Sequence, residues 1–332
     1  MDKRLQVLHE MRRVGQEEVF PVKLKEGSSF WEELAVDAAG AAPGAALAFI
    51  PGVLWGLSGV FGQHLFQHYD INAEWLVTVR LLVSGILMVS WSFLRVGADT
   101  LKVFHHKSDT GKLLIFAIFG VMAVQLTYFV AIDKSNAPTA TILQYLFPVL
   151  IVIFSAVRSR KAPSKKEAVA VLLALIGTFL LVTHGNPSTL HITVSALVWG
   201  LSSALAMAFY TVYPGALQMR YTSPVVVGWG MLIGGLALNC YHPFWAFEGY
   251  VDVTAVLMIG FIVLFATFLS FYLYLVSVTM IGATYASLFA CVEPLASAFF
   301  SVIGLHLQFN TMDWTGAAMI FATMLLLSWK KV

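Results

Sequence analysis

An all-α integral membrane protein of ten transmembrane helices, arranged as two inverted five-helix repeats around a central cavity, is the fold class that three observations in this sequence predict. The first is composition. Of 332 residues, 59% are hydrophobic and only 11% charged, with a mean hydropathy of +0.80, which is more apolar surface than a water-soluble domain can bury. The second is the recurrence of apolar segments of about 17 to 23 residues, each enough to cross about 30 Å of hydrocarbon as a helix. The third is the tetrapeptide WGLS, found at residues 55–58 and again at 199–202, 144 positions later.

The elements follow in order. Residues 1–44 mix both charge signs and lack a long apolar run, so they are no signal peptide and read as a cytoplasmic tail, partly helical at the membrane surface. Apolar helices are then expected at 45–65, 75–95, 113–132, 138–158 and 168–184, forming a first repeat over 45–184. Five more are expected at 192–213, 222–242, 253–276, 283–303 and 313–329, forming a second repeat over 191–330. The connection 133–137, DKSNA, is so short that its two helices must be an antiparallel hairpin.

Basic residues orient the bundle, because short loops rich in Lys and Arg stay in the cytoplasm. With the N-terminus inside, eighteen of the twenty Lys and Arg residues fall on the inner side, including Lys102, Lys107, Lys112, Lys165, Arg220 and Lys330. The outer loops hold Lys134 alone, and Arg80 lies within the second helix. Both termini are therefore expected in the cytoplasm of a multi-pass cell-membrane protein.

Trp55 and Trp199 are separated by five crossings, an odd number, so the second copy must be upside down relative to the first. Further matches run in the same order: Tyr128 with Tyr274, Ala140 with Ala286, Thr141 with Ser287 and Pro148 with Pro294, all 146 apart, and Gly85 with Gly235, 150 apart. Inverted repeats belong to secondary transporters, whose substrate sits near the midplane between halves that rock about it.

VLWG in the first helix, VRLLVSGIL at 79–87, the run 128–157 from YFVAIDKSN to VIFSAV, and GATYASLFACVEPLASAFFSVIG at 282–304 together resemble the EamA family of the drug/metabolite transporter superfamily. The resemblance covers 45–330. It implies a basket-like bundle that exports or exchanges small metabolites such as amino acids, amines or related compounds by alternating access. One departure stands out: the family often carries an acidic residue after helices 4 and 9, where this chain has RSRKAPSKKE and LHLQFN.

Candidate site residues are chosen by chemistry. Pro148 and Pro294 fall mid-helix at equivalent repeat positions, and each leaves the carbonyl four residues earlier, at Gln144 and Ala290, without its usual donor. Gln144, Tyr145 and Glu293 lie beside these kinks. Arg80 and Glu293 are charges deep in apolar segments, where each costs about 2.5 to 3.5 kcal/mol on insertion scales and so points to substrate binding or coupling. Glu293 would take a substrate amine or a proton; Arg80 would hold a substrate carboxylate or pair with Glu293. The aromatic residues Trp55, Trp199, Tyr128, Tyr210, Tyr272 and Tyr274 can wall a cavity, or simply fill cores and interfacial belts. Gly52 with Gly56, and Gly230 with Gly234, suit close helix packing.

Other chemistry lacks its residues. Cys240 and Cys291 propose neither a disulfide nor a metal site. His64 and His68 are four apart without a third ligand. No nucleotide-binding loop and no paired catalytic carboxylates are visible, so no cofactor and no enzyme activity are expected. A net charge of +2 gives no reason for a nucleic-acid partner. The partners expected are a small-molecule substrate, the bilayer and a proton or counter-substrate; a homodimer is compatible with such a bundle. A channel or facilitator of the same fold is the closest rival reading, and a membrane-embedded enzyme a more distant one.

Overall fold

The structure, a computed structural model, describes residues 30–160, 162–184, 186 and 192–328. Most of the tail, 1–29, together with Lys161, Lys330 and Lys331, lies outside the described residues. Among the described residues there are helices and turns but no strand. Seven helical stretches are long and apolar enough to cross a membrane: Pro43–His68, Ala73–Phe104, Lys107–Lys134, Ala137–Phe154, Val194–Gln218, Ser223–Tyr241 and Val253–Val278. A shorter apolar helix, Val292–Gly304, follows them.

Helix α1, Phe30–His68, starts well upstream of residue 45, because the Ala-rich approach to the membrane is itself helix-forming; Pro43 and Pro51 are both carried inside it. Asn72 then caps α2, Ala73–Val96, by accepting from the amides of Glu74 and Trp75. The next rod is α3, Lys107–Ile115, a π-helical stretch, Phe116–Met122, and α4, Ala123–Lys134. The short turn expected at 133–137 follows, with Asn136 capping α5, Ala137–Gln144. Helix α6, Phe147–Ser159, and α7, Lys165–Thr183, complete this half.

The second half differs in places, with one helix, Ser270–Ala290, where the first half has α4, a turn and α5. It runs through α8, Val194–Val212, a single turn α9, Gly215–Gln218, and α10, Ser223–Tyr241. Next come α11, Val253–Val263, and a second π-helical stretch, Leu264–Leu269. Helices α12, Ser270–Ala290, α13, Val292–Gly304, and α14, Thr311–Ser328, close the chain. Within α12 the chain doubles back along α1. Phe61 meets Phe261, Trp55 meets Phe271, and Ser277 Oγ donates to Gly44 O at 2.7 Å, an antiparallel order. Beyond that point Gly44 faces Ile281, Gly52 faces Ala290 and Gly56 faces Ala296, a parallel one.

Glycines set the closest crossings, since a missing Cβ lets backbones touch. A Cβ on Gly85 of α2 would lie 2.6 Å from Leu232 N of α10, and one on Gly235 of α10 would lie 2.9 Å from Leu82 N of α2. The α7–α14 crossing is reciprocal in the same way, with Gly177 against Gly316 O at 2.8 Å and Gly316 against Gly177 O at 2.6 Å. Gly52 and Gly56 pack against α12 and α13, while Gly230 and Gly234 pack against the first π-helical stretch. The main core, with Leu65, Leu76, Leu81, Phe116, Phe129 and Met231, surrounds the α2–α10 pair. A second cluster around Leu143, Tyr145, Leu181, Cys291 and Ile320 joins the two kinked helices to the α7–α14 pair.

Candidate functional site

Both proline-bearing helices are interrupted at equivalent places. Helix α5 ends at Gln144 and α6 begins at Phe147, with Pro148 in its first turn; α12 ends at Ala290 and α13 begins at Val292, with Pro294 in its first turn. The carbonyl that Pro294 deprives of a donor is Ala290 O. Tyr145, sitting in the other break, brings its hydroxyl 3.4 Å from Ala290 O and 2.9 Å from Glu293 Oε2. The side chain of one broken helix thus completes the backbone of the other.

Arg80 lies on α2 and is 3% exposed. Its Nε donates to Thr267 Oγ1 at 3.1 Å, and its guanidinium covers the Phe129 ring at 4.6 Å from the centroid. Thr267 is presented to it by the second π-helical stretch, where its own hydroxyl donates to Ile262 O five residues back at 2.7 Å. Such stretches recur at functional sites because they re-aim a side chain without ending a helix.

Arg80, Tyr128 and Glu293 lie within electrostatic range of one another. Even so, no ion pair within 4.0 Å joins Arg80 or Glu293 to any opposite charge among the described residues. Tyr128 OH is 2.8 Å from Thr141 Oγ1, which itself donates to Ala137 O. Gln144 Nε2 donates to Ser203 Oγ of α8 at 2.7 Å. Gln144, Tyr145, Tyr128 and Glu293 are all 7 or 8% exposed, so this polar centre is buried.

The remaining candidates divide. Trp55 meets the first turns of α12, with ring contacts to Phe271 at 5.3 Å and Tyr274 at 5.6 Å, and its Nε1 is buried with no hydrogen-bond partner among the described residues. Trp199 and Tyr210 pack instead against the main core, Tyr210 stacked on Phe116 at 5.3 Å. Tyr272 lies near the end of α2, against Trp91. His64 and His68 stack at 4.2 Å, and among the described residues no third His, Cys, Asp or Glu joins them to hold a metal. Thr267, Phe129 and Ser203 were not legible as site residues: their role depends on the π-helical turn and on helix neighbours distant in sequence.

The description EamA-like transporter family matches this chain twice, over residues 42–183 and 194–329. The chain belongs to the EamA-like transporter family. Among curated relatives of this EamA-like transporter, an uncharacterized inner membrane transporter of Salmonella typhimurium strain LT2, YicL, is 42% identical over 282 residues, covering 84% of this chain and 93% of that protein. An uncharacterized transporter of Bacillus subtilis strain 168, YcbK, is 24% identical over 232 residues, 68% of this chain and 74% of that one. A solved crystal structure overlays with a TM-score of 0.57 at 16% identity, covering 86% of this chain and 96% of its own, a likeness of fold. This EamA-like transporter is thus a multi-pass cell-membrane protein of a transporter family.

Proposed function

We propose that this EamA-like transporter is a secondary carrier of small metabolites that exports or exchanges them by alternating access, with Arg80 and Glu293 at its substrate and coupling site. Ten crossings in two inverted halves, 45–184 and 191–330, with both termini cytoplasmic, form its frame. The two family matches, the reciprocal glycine crossings and the paired π-helical stretches support that frame. The observation that carries the site is a pair of opposite charges, buried in the closed centre of an apolar bundle and not paired with each other. Charge at that depth is costly without a use.

The hydrogen bonds around Glu293 suggest how coupling works. Tyr145 has one hydroxyl proton and two neighbouring acceptors, Glu293 Oε2 and Ala290 O. With Glu293 protonated, Glu293 donates to Tyr145 and Tyr145 donates to Ala290 O, so every group is served. With Glu293 ionised, the phenolic proton goes to the carboxylate and the Ala290 carbonyl loses its donor at the kink. A proton or a substrate ammonium on Glu293 therefore changes how α12 and α13 are joined. The Arg80 guanidinium keeps its charge throughout and offers its terminal N–H groups to a substrate anion.

Purified protein in proteoliposomes, tested for counterflow against a panel of labelled amino acids, amines and organic acids, checks this reading. Counterflow is expected, as a carrier requires and a channel does not give. Glu293→Gln, which keeps shape and hydrogen bonding, is expected to fold and to lose the pH dependence of transport. Wild-type rate and pH profile in that variant would remove Glu293 from the mechanism.

A further inference from the structure

Far from the polar centre, each end of the bundle carries the same small cluster. At one end Tyr69, in the turn between α1 and α2, donates its hydroxyl to Asp252 Oδ2 at 3.1 Å, at the head of α11. Trp75 Nε1, one turn into α2, donates to Phe244 O at 2.7 Å, and its ring meets Phe247 edge-on at 4.8 Å. At the other end Tyr221, between α9 and α10, donates to Asp109 Oδ2 at 2.9 Å, at the head of α3. Trp229 Nε1 of α10 donates to Thr100 O at 2.9 Å, and its ring meets Phe104 edge-on at 4.8 Å. The acceptor sides, Thr100, Phe104 and Asp109 against Phe244, Phe247 and Asp252, repeat at 143 or 144 positions.

Each aspartate heads a rod that is broken by a π-helical stretch. At 1.5 Å per residue the first, Phe116–Met122, begins about 10 Å from Asp109, and the second, Leu264–Leu269, about 18 Å from Asp252. A π-helical stretch departs from regular α geometry, so it is where such a rod can bend. The second stretch also holds Thr267 against Arg80.

We propose that the Tyr69–Asp252 and Tyr221–Asp109 clusters are the two gates of the carrier, one per membrane face, each releasing the head of its rod to bend at the π-helical stretch. The proposal rests on the carrier reading above. In this structure both are closed, which agrees with the buried centre. They are unequal in strength. Asp109 is 1% exposed and also accepts from Arg220 Nη1 at 2.9 and 3.1 Å, with Lys112 Nζ at 4.0 Å. Asp252 has no basic partner within ion-pair distance among the described residues; the Ala255 amide, and then the Tyr69 hydroxyl, hold its carboxyl below the ordinary carboxylate range. The gate on the Lys- and Arg-rich face is therefore the tighter one, and release of the Tyr69 gate precedes it when the site is empty.

A native reporter exists. Cys291 is 1% exposed and sits in the α12–α13 break beside Glu293, while Cys240 is exposed and is removed by Cys240→Ser. In that background, the rate of Cys291 labelling by a membrane-impermeant maleimide is read in right-side-out and in inverted vesicles. Tyr69→Phe and Asp252→Asn are expected to speed labelling about two- to tenfold from one face, the shift that loss of one hydrogen bond gives. Tyr221→Phe and Asp109→Asn are expected to do so from the opposite face. Two variants per cluster guard against one that fails to reach the membrane. Equal change on both faces, both clusters acting on one face, or unchanged rates in variants that elute like the wild type would overturn the gates. Absent counterflow in the wild type would instead overturn the carrier reading; intact counterflow without face-specific labelling removes the gates alone.

Discussion

The two WGLS glycines occupy like positions in their repeats but are not equally replaceable. A Cβ on Gly56 would meet Ala296 Cβ, Glu293 O and Ser297 N, all at 2.8 Å. Two of these are backbone atoms of α13, so relief to an ordinary contact near 3.4 Å requires the helix to move by about 0.6 Å. On Gly200 the same Cβ meets Leu143 at Cδ1, 2.5 Å, and Cβ, 3.0 Å, the nearest atom being the tip of a side chain that can turn aside. Overpacking costs about 1 to 3 kcal/mol, and replacing a helical glycine by alanine returns about 1 kcal/mol. The difference is a net loss of about 0 to 2 kcal/mol; Gly56→Ala, which must move backbone, is expected at the upper end of that range and Gly200→Ala near neutral. The displaced turn is the one that holds Glu293 at 2.9 Å from Tyr145, so Gly56→Ala should also slow transport at least tenfold. Thermal unfolding of the detergent-solubilised variants, with counterflow measured in parallel, reads both effects. A Gly200→Ala variant as unstable as Gly56→Ala, or Gly56→Ala transporting at the wild-type rate, refutes the reasoning.

Arg80→Lys loses the Nε donor to Thr267 and the flat cover over Phe129, so transport of an anionic or zwitterionic panel substrate should fall at least tenfold with near-normal expression; an unchanged apparent KM would take Arg80 out of the substrate path. If both termini are cytoplasmic, as proposed from the distribution of eighteen Lys and Arg residues, a C-terminal green fluorescent fusion should shine and an alkaline phosphatase fusion should be inactive; the opposite pair of results would break the proposed even number of crossings.

What could be read from the sequence was whatever depends on composition and on residues with fixed backbone consequences. Membrane residence followed from hydropathy, and the family from motifs spread over the chain. Pro148 and Pro294 marked both helix breaks because a ring nitrogen cannot donate. Gly52 and Gly56 announced a close approach, though not their partners. The upstream start of α1 was only partly legible, because the mixed charge of residues 1–44 read as a tail partly helical at the membrane surface, whereas one helix runs from Phe30 through Pro43 to His68. The π-helical stretches have no residue signature in FAIFGVM or LFATFL, so Thr267 could not be singled out. The Tyr–Asp and Trp–carbonyl contacts span 112 to 183 positions, and only the packed chain shows that they form a pair.

The scaffold repeats more faithfully than the chemistry it carries. At the 146-residue spacing of the kinks, Glu293 corresponds to Phe147 and Tyr145 to Cys291, and at the 150-residue spacing of Gly85 and Gly235, Arg80 corresponds to Gly230. Glycines, prolines, the Tyr128–Tyr274 match and the Asp109–Asp252 pair keep their symmetry; Arg80 and Glu293 of the polar centre do not. If the two open states of the proposed carrier were related by an exact two-fold axis they would be equally populated, whatever the height of the barrier between them. A charge that keeps its hydrogen bonds in one state and must rearrange them in the other removes that equality, and about 1.4 kcal/mol of difference already gives a tenfold bias. Here Glu293 is tied to Tyr145 across the two kinks while Arg80 is tied to the π-helical stretch behind one gate only, so loading the site acts on the two ends unequally. In the proposed carrier this asymmetry would set which face is favoured at rest, while the gradients set the direction of net transport, and substitutions at Arg80 and Glu293 should shift which face is open as well as how tightly substrate is held.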